Sequence, residues 1–279
     1  MNKGIVFAGS SDIVYPNAIE VPAKFDWPGG NKMRKIPGFR TIVDDNDGAV
    51  LGVVQSSYKL VKYEDTIEKF EKGLAEVLSE EYDYMEIEKD VRFFQGKSQM
   101  SATYTFPGFA FDIAGDECHP QVNLERSYNR TIKMQLVLSL MRLVCTNGLR
   151  MPVKVGGFSR LHTKNLDQDQ LIGDLLGEIL NITQHKTLFS KLSNTPVKNY
   201  KSSIEMLYDN PAKPKFEFPK RYLPMVEKNW EGETGRSMWN LYNGFNSVIN
   251  HHIDAEKGRP ERARALDENL YNRFELITA

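Results

Sequence analysis

Between Phe39 and Val61 the chain reads FRTIVDDNDGAVLGVVQSSYKLV, two β-branched runs on either side of Asp47-Gly48. That dipeptide favours a tight turn, so the segment predicts a hairpin. From Asp65 the apolar period lengthens: Ile67, Phe70, Leu74, Val77 and Leu78 form a stripe at helical spacing. The spacing predicts a helix, with Asp65 and Glu68 as its capping box. Alternation returns between Tyr84 and Phe111 and predicts two or three antiparallel strands joined through Gly96 and Pro107-Gly108. TIKMQLVLSLMRLVC, residues 131–145, then reads as a long strand. Ile132, Met134, Leu136, Leu138 and Leu140 share one face, with Lys133, Gln135 and Ser139 on the other; a buried helix is the competing assignment. Asn147-Gly148 turns the chain, LRMPVKV returns as an edge or irregular strand because of Pro152, Gly156-Gly157 turns it again, and FSRLHTK follows. The remainder is mostly helical, including SMWNLYNGFNSVINHH, whose Trp239, Tyr242, Phe245 and Asn246 fall at helical spacing and read as core. The expectation is an α+β fold: an antiparallel sheet (hairpin, helix, further strands) with helices packed on one face and a helical C-terminal part. It divides into an irregular or lightly stranded N-terminal arm over 1–37, an α+β core domain over 38–195 and a helical region over 196–279.

Composition adds little until charge is placed along the chain. Of 279 residues 41% are hydrophobic, enough for a substantial core. No run of eighteen apolar residues occurs, and the first residues lack the core and cleavage site of a signal peptide, so a soluble, cytoplasmic protein is expected. Two cysteines, Cys118 and Cys145, build neither a disulfide framework nor a four-cysteine zinc cage. The net charge of -1 argues weakly against generic nucleic-acid binding. Its distribution is uneven, however. Residues 64–90 hold eleven acidic side chains against three lysines. Over 126–165 the balance inverts: Arg126, Arg130, Lys133, Arg142, Arg150, Lys154, Arg160 and Lys164 occur with no Asp or Glu among them. Such asymmetry bears on partners, not on fold.

Catalytic constellations fare poorly. Cys145 with His162 or His251 could form a thiol–imidazole pair, but Cys145 ends an apolar strand and no third, orienting residue stands out. His251 and His252 are adjacent, which on a helix directs them about 100° apart and away from a shared ion. There is no G-x-x-x-x-G-K-[ST] and no G-x-G-x-x-G, so an ATP-independent protein without a cofactor is expected. The acid-free block remains. Arg126, Arg130, Lys133, Arg150, Lys154, Arg160 and Lys164 are the candidate phosphate contacts, with His162 beside them and Tyr128 and Phe158 as rings for base stacking. If 130–145 pairs with 149–164, several of these cations fall on one sheet edge.

Four ordered blocks, LGVVQSSYKLVKYEDTIEKFEKGL, MRLVCTNGLRMPV, SRLHTKN and MWNLYNGFNSVINHH, resemble the successive motifs of the DUF932 family of phage/plasmid-like proteins. The resemblance spans roughly 45 to 255. It departs locally, with KYED where the family often has Gln-Asn and with Gly244-Phe245-Asn246 in place of the usual Thr after Tyr-Asn. It implies a home in phages, plasmids or mobile elements and supplies no catalytic residues. The order of hairpin, helix, strands and basic strand-turn segment also resembles, at the level of fold, single-strand annealing recombinases. The expectation is a homo-oligomer, with a ring as one possible form, that binds single-stranded nucleic acid, DNA before RNA, and acts in recombination or replication. An interaction protein that counters a host defence enzyme, its acidic segment mimicking DNA, is the alternative; a Cys/His enzyme comes third.

Overall fold

A computed structural model describes residues 4–9, 13–26, 33–142, 148–150, 159–160, 183–211, 215–253 and 260–278, and among these residues it holds eleven strands and six α-helices. The strands are β1 (Gly4–Gly9), β2 (Ala18–Phe25), β3 (Arg34–Asp44), β4 (Val50–Gln55), β5 (Tyr84–Phe94), β6 (Gln99–Thr105), β7 (Phe111–Ile113), β8 (Asp116–Ser127), β9 (Met134–Arg142), β10 (Gly148–Arg150) and β11 (Ser159–Arg160). The helices are α1 (Tyr63–Glu81), α2 (Thr183–Asn194), α3 (Tyr200–Asp209), α4 (Leu223–Gly232), α5 (Met238–Val248) and α6 (Pro260–Thr278). The fold is α+β with a helical C-terminal part, as the sequence pattern predicts. One sheet follows the order β1-β5-β6-β8-β9-β10, with β7 on β8 and β11 on β9; a second is the meander β2-β3-β4. Among the described residues, no helix is long and apolar enough to cross a membrane.

The chain divides into two compact units, each built from several segments. One comprises Met1–Gly108, Val122–Leu136 and Val155–Gly177, the other Phe109–Gln121, Val137–Lys154 and Glu178–Ala279. The strands β8 and β9 each contribute residues to both, which no contiguous division of the sequence could express.

In the first unit the expected irregular or lightly stranded arm holds β1, β2 and the start of β3. β1 runs parallel to β5, from Gly4 opposite Tyr84 to Gly9 opposite Lys89, and β2 pairs antiparallel with β3. Prolines and glycines hide this alternation, and Pro22 sits at a register shift on an edge strand, where its missing N–H costs least. Helix α1 buries Ile67, Phe70, Leu74 and Leu78 of the predicted stripe, while Val77 stays half-buried, alongside Met85 and Ile87 of β5 and Ala102 and Tyr104 of β6. The rings of Phe70 and Tyr104 lie 4.7 Å apart. Each such side chain contributes about 1.5–3 kcal/mol by leaving water. The helix starts two residues earlier than predicted, at Tyr63, and Asp65 and Glu68 do not form its cap. Lys62 occupies the N-cap with no side-chain bond; the first helical N–H, that of Tyr63, donates instead to Tyr128 Oη at 3.0 Å. A β-carbon on Gly52 of β4 would come within 2.7 Å of the Tyr128 carbonyl oxygen, so only glycine fits where this strand crosses the end of β8.

In the second unit α5 is buried on nearly all sides. Ser237 and Asn240 form its capping box, and Trp239, Tyr242 and Phe245 pack among Phe189, Phe216, Phe218 and Phe274. The aromatic stripe is therefore core, as its spacing predicts. Helix α4 approaches closely: a β-carbon on Gly244 would lie 3.1 Å from the Val226 carbonyl oxygen.

Candidate functional site

The predicted cations separate into three groups once their neighbours are known. Arg126 and Tyr128 are both fully buried, not on the surface where phosphate contacts were expected. Val122, Leu124, Arg126 and Tyr128 share one parity along β8, so the strand that turns its apolar residues inward turns these two inward as well. Arg126 fastens the chain ahead of α1. Its guanidinium donates to the Val61 carbonyl at 2.8 Å, to the Lys62 carbonyl at 3.4 Å and to Thr66 Oγ1, and lies 5.5 Å from the Tyr63 ring centre. A cation at a helix N-terminus opposes the helix dipole, and the carbonyl acceptors just ahead of the helix offset that repulsion. The Tyr128 ring stacks on Tyr63 with centroids 4.0 Å apart and planes inclined by 22°. Burial raises the Tyr128 phenol well above its ordinary value, with Arg126 acting in the lowering direction.

Arg142 belongs to a second buried network, in the other unit. It forks onto Glu233, with Nη1 at 2.9 Å from Oε1 and Nη2 at 2.7 Å from Oε2. It also meets Asp116, Nη2 reaching Oδ1 at 2.8 Å and Nε lying 2.7 Å from Oδ2. Trp239 Nε1 donates to the same Oδ2 at 2.9 Å. Burial works to lower the Arg142 pKa, but the hydrogen bonds from Glu233 and Asp116 outweigh it and hold the guanidinium charged. Two carboxylates on one guanidinium leave no charge there for a polyanion. Asp116 thus joins Arg142, in the MRLVCTN block, to Trp239, in the MWNLYN block.

Two of the candidate cations face outward. Arg130 and Lys133 are exposed and lie between β8 and β9. Their loop is built to hold its shape. Ser127 Oγ donates to the Ile132 carbonyl and accepts the Ile132 N–H, both at 2.9 Å, closing the loop across its base. Asn129 Oδ1 accepts the Thr131 N–H at 3.1 Å, while Asn129 Nδ2 reaches Ser98 Oγ at 3.0 Å and Gln95 Oε1 at 3.3 Å. Gln99 Nε2 donates to Thr131 Oγ1 at 2.6 Å. This frame keeps Arg130 at φ +64°, beside a turn in which Gln95 and Lys97 are also left-handed at +48° and +65°. Such conformations cost about 1–3 kcal/mol per residue and persist only where surrounding contacts enforce them. Lys97 Nζ is 3.7 Å from Asp44 Oδ2 and so is partly neutralised.

Backbone pairing places two further candidates. β11 runs antiparallel to β9 with Arg160 opposite Met134, one residue from Lys133; no other described strand pairs with it. Thus Arg130, Lys133 and Arg160 gather at one end of the first unit's sheet. In the second unit β10 also runs antiparallel to β9, with Arg150 opposite Ser139. The predicted pairing of 130–145 with 149–164 therefore holds at both described points. Because both segments run antiparallel to β9, they follow one direction along it, whereas two strands reversed at Gly156-Gly157 would run oppositely. Lys154, Phe158, His162, Lys164 and Cys145 lie outside the described residues. Cys118 is buried, its thiol 3.6 Å from the Asp116 carbonyl oxygen. His251 and His252 fall in a π-helical turn over Ile249–Ile253.

The model of one family, the domain of unknown function DUF932, matches residues 50–272. The chain belongs to that family. None of the curated proteins and none of the solved structures matches it. Membership in DUF932 carries no reaction with it, so what the site does has to be argued from its own geometry.

Asp116, Glu233, Thr66 and Asn129 were not among the predicted residues. Their importance lies in pairings 26 to 91 positions apart, such as Asp116 and Glu233 with Arg142 or Thr66 with Arg126, or in the shape of a loop. Only the inward parity of Arg126 and Arg142 could have flagged that buried partners were needed.

Proposed function

We propose that this chain is an ATP-independent protein of a phage or mobile element that binds single-stranded nucleic acid, DNA before RNA, and promotes annealing during recombination or replication. The observation that carries the proposal is the register of β11 on β9, which sets Arg160 beside Lys133 at the edge of a sheet, next to a braced loop bearing Arg130. Arg130 and Lys133, exposed on this rigid frame, attract phosphates while losing little side-chain and loop freedom on binding. Nothing among them is arranged to read base edges, so the binding is expected to be strongly salt-dependent and only weakly sequence-dependent. Arg150, on β10 of the second unit, is a separate candidate contact.

The test is fluorescence anisotropy with a labelled single-stranded oligonucleotide across a salt series, comparing wild type with Arg130→Ala/Lys133→Ala and with Arg160→Ala. Each lost phosphate contact should flatten the plot of log K against log salt by about 0.7, so the double variant should lose about 1.4 of the slope. Absence of binding at low salt, or the same slope in all three proteins, overturns the proposal.

A further inference from the structure

The β2–β3 ribbon outruns the third strand of its sheet. Pairing of β3 with β4 ends at Phe39 opposite Gln55, whereas β2 and β3 continue past a bulge to Lys24 opposite Lys35 and Phe25 opposite Arg34. The projecting part is two strands wide, a form that is marginal in water without something to pack on. Lys24 and Lys35 are exposed and directly opposite one another, and like charges in that position destabilise an antiparallel pair. Arg40, farther back on the ribbon, is paired with Glu20; among the described residues Lys24 and Lys35 have no such carboxylate. Phe25 and Met33, the latter 66% exposed, flank them with apolar surface.

The same unit carries the opposite feature on α1. Its inner face is buried, while Glu64 and Glu68 are exposed one turn apart on the outer face, a like-charge pair that also weakens its own element. Side chains one helical turn apart have β-carbons about 5–6 Å apart, and directly opposed cross-strand residues have theirs about 4.5–5.5 Å apart. The two pairs are therefore complementary in charge and matched in spacing.

We propose that the Lys24/Lys35 ribbon of one copy docks on the Glu64/Glu68 face of α1 in a second copy. The two surfaces differ, so the contact is head-to-tail and repeats from subunit to subunit unless the rotation closes it. It relieves both like-charge pairs at once and covers Phe25 and Met33. This surface is distinct from Arg130, Lys133 and Arg160, so the proposal stands or falls apart from the nucleic-acid reading.

Sedimentation velocity on the full chain, with and without high salt, tests it by charge exchange. Wild type should associate at low salt and dissociate near about 1 M salt, where screening acts over about 3 Å. Lys24→Glu/Lys35→Glu and Glu64→Lys/Glu68→Lys should each weaken association by about tenfold or more. The protein carrying all four substitutions should recover most of it, because opposite charges again face one another. Circular dichroism on each variant confirms the fold, and oligonucleotide binding, read on the same samples, should be unchanged by the ribbon substitutions in dissociated protein at equal salt. A monomeric wild type at every salt, a fourfold variant no better than its parents, or a ribbon variant that loses oligonucleotide while associating normally each overturns the proposal.

Discussion

Replacing Tyr128 with Phe separates a structural ring from a ligand-stacking one. In the native protein the phenol oxygen accepts the N–H of Tyr63, the first residue of α1, at 3.0 Å. Both residues are buried, Tyr63 to 1% exposure, so water cannot replace the lost acceptor. The substitution keeps the ring stacked on Tyr63 and removes one atom. An orphaned buried N–H costs about 1–3 kcal/mol, and loss of a helix cap typically about 1 kcal/mol; about 2 kcal/mol is expected. With an m-value of about 3 kcal/mol/M, urea unfolding followed by circular dichroism should shift its midpoint down by about 0.7 M. Hydrogen exchange of the first turn of α1 should accelerate more than that of its C-terminal turns. Oligonucleotide affinity under native conditions should not change. Tyr128→Ala, which also removes the ring, should cost about 3–5 kcal/mol. A Tyr128→Phe protein that unfolds at the wild-type midpoint but loses oligonucleotide binding would refute the reasoning, because the phenol would then face the ligand.

Arg142→Lys keeps the charge but cannot hold two carboxylates in fork geometry; thermal or urea unfolding should show a loss of about 2–4 kcal/mol, without a change in salt slope for oligonucleotide binding. Raising the pH should unfold the first unit. Burial, followed by the charges of Glu71, Glu64 and Glu68, raises the Tyr15 phenol from 10.0 to about 12, and burial pushes Tyr63, Tyr104 and Tyr128 higher still. A folded-state pKa above the unfolded value means that the protonated phenols favour the fold. Stability from these groups is fully present below pH 10 and is lost as pH rises through 12 and beyond, which a urea series between about pH 8 and 12 would register. Finally, eight cations of the 126–165 block on phosphates would give a salt slope near −5.6, whereas removing Arg126 and Arg142 from the count lowers the ceiling to about −4.2; a measured slope steeper than that would return the two buried arginines to the interface.

Periodicity made much of this architecture legible. The Ile67 to Leu78 stripe, the inward face of β9 and the aromatic stripe of α5 all occur where their spacing places them. The start of α1 was not legible, because its cap comes from Tyr128, 65 residues away, and no local pattern reports it. β1 escaped notice because a six-residue strand between glycines offers few alternations, and its partner β5 lies about 80 residues downstream. The division into two units is hidden for a related reason: β8 and β9 each run on as one strand while the residues around them change.

The basic block illustrates how charge counted along a sequence differs from charge presented to a partner. Its eight cations look equivalent in one dimension, yet strand parity already divides them. Arg126 shares the inward parity of Leu124, and Arg142 that of Leu138 and Leu140. An arginine at such a position has to bring its acceptors into the core, and both do, Arg126 with backbone carbonyls and Arg142 with two carboxylates. Arg130 and Lys133 follow β8 and precede β9, where parity imposes nothing, and they remain exposed. The absence of acidic residues from 126–165 therefore has two physical origins. Around the inward arginines the acceptors come from distant segments, carbonyls ahead of α1 for Arg126 and Asp116 and Glu233 for Arg142, so no acid is needed nearby. Around the outward ones the absence leaves positive charge on the surface, and that part alone argues for a polyanionic partner.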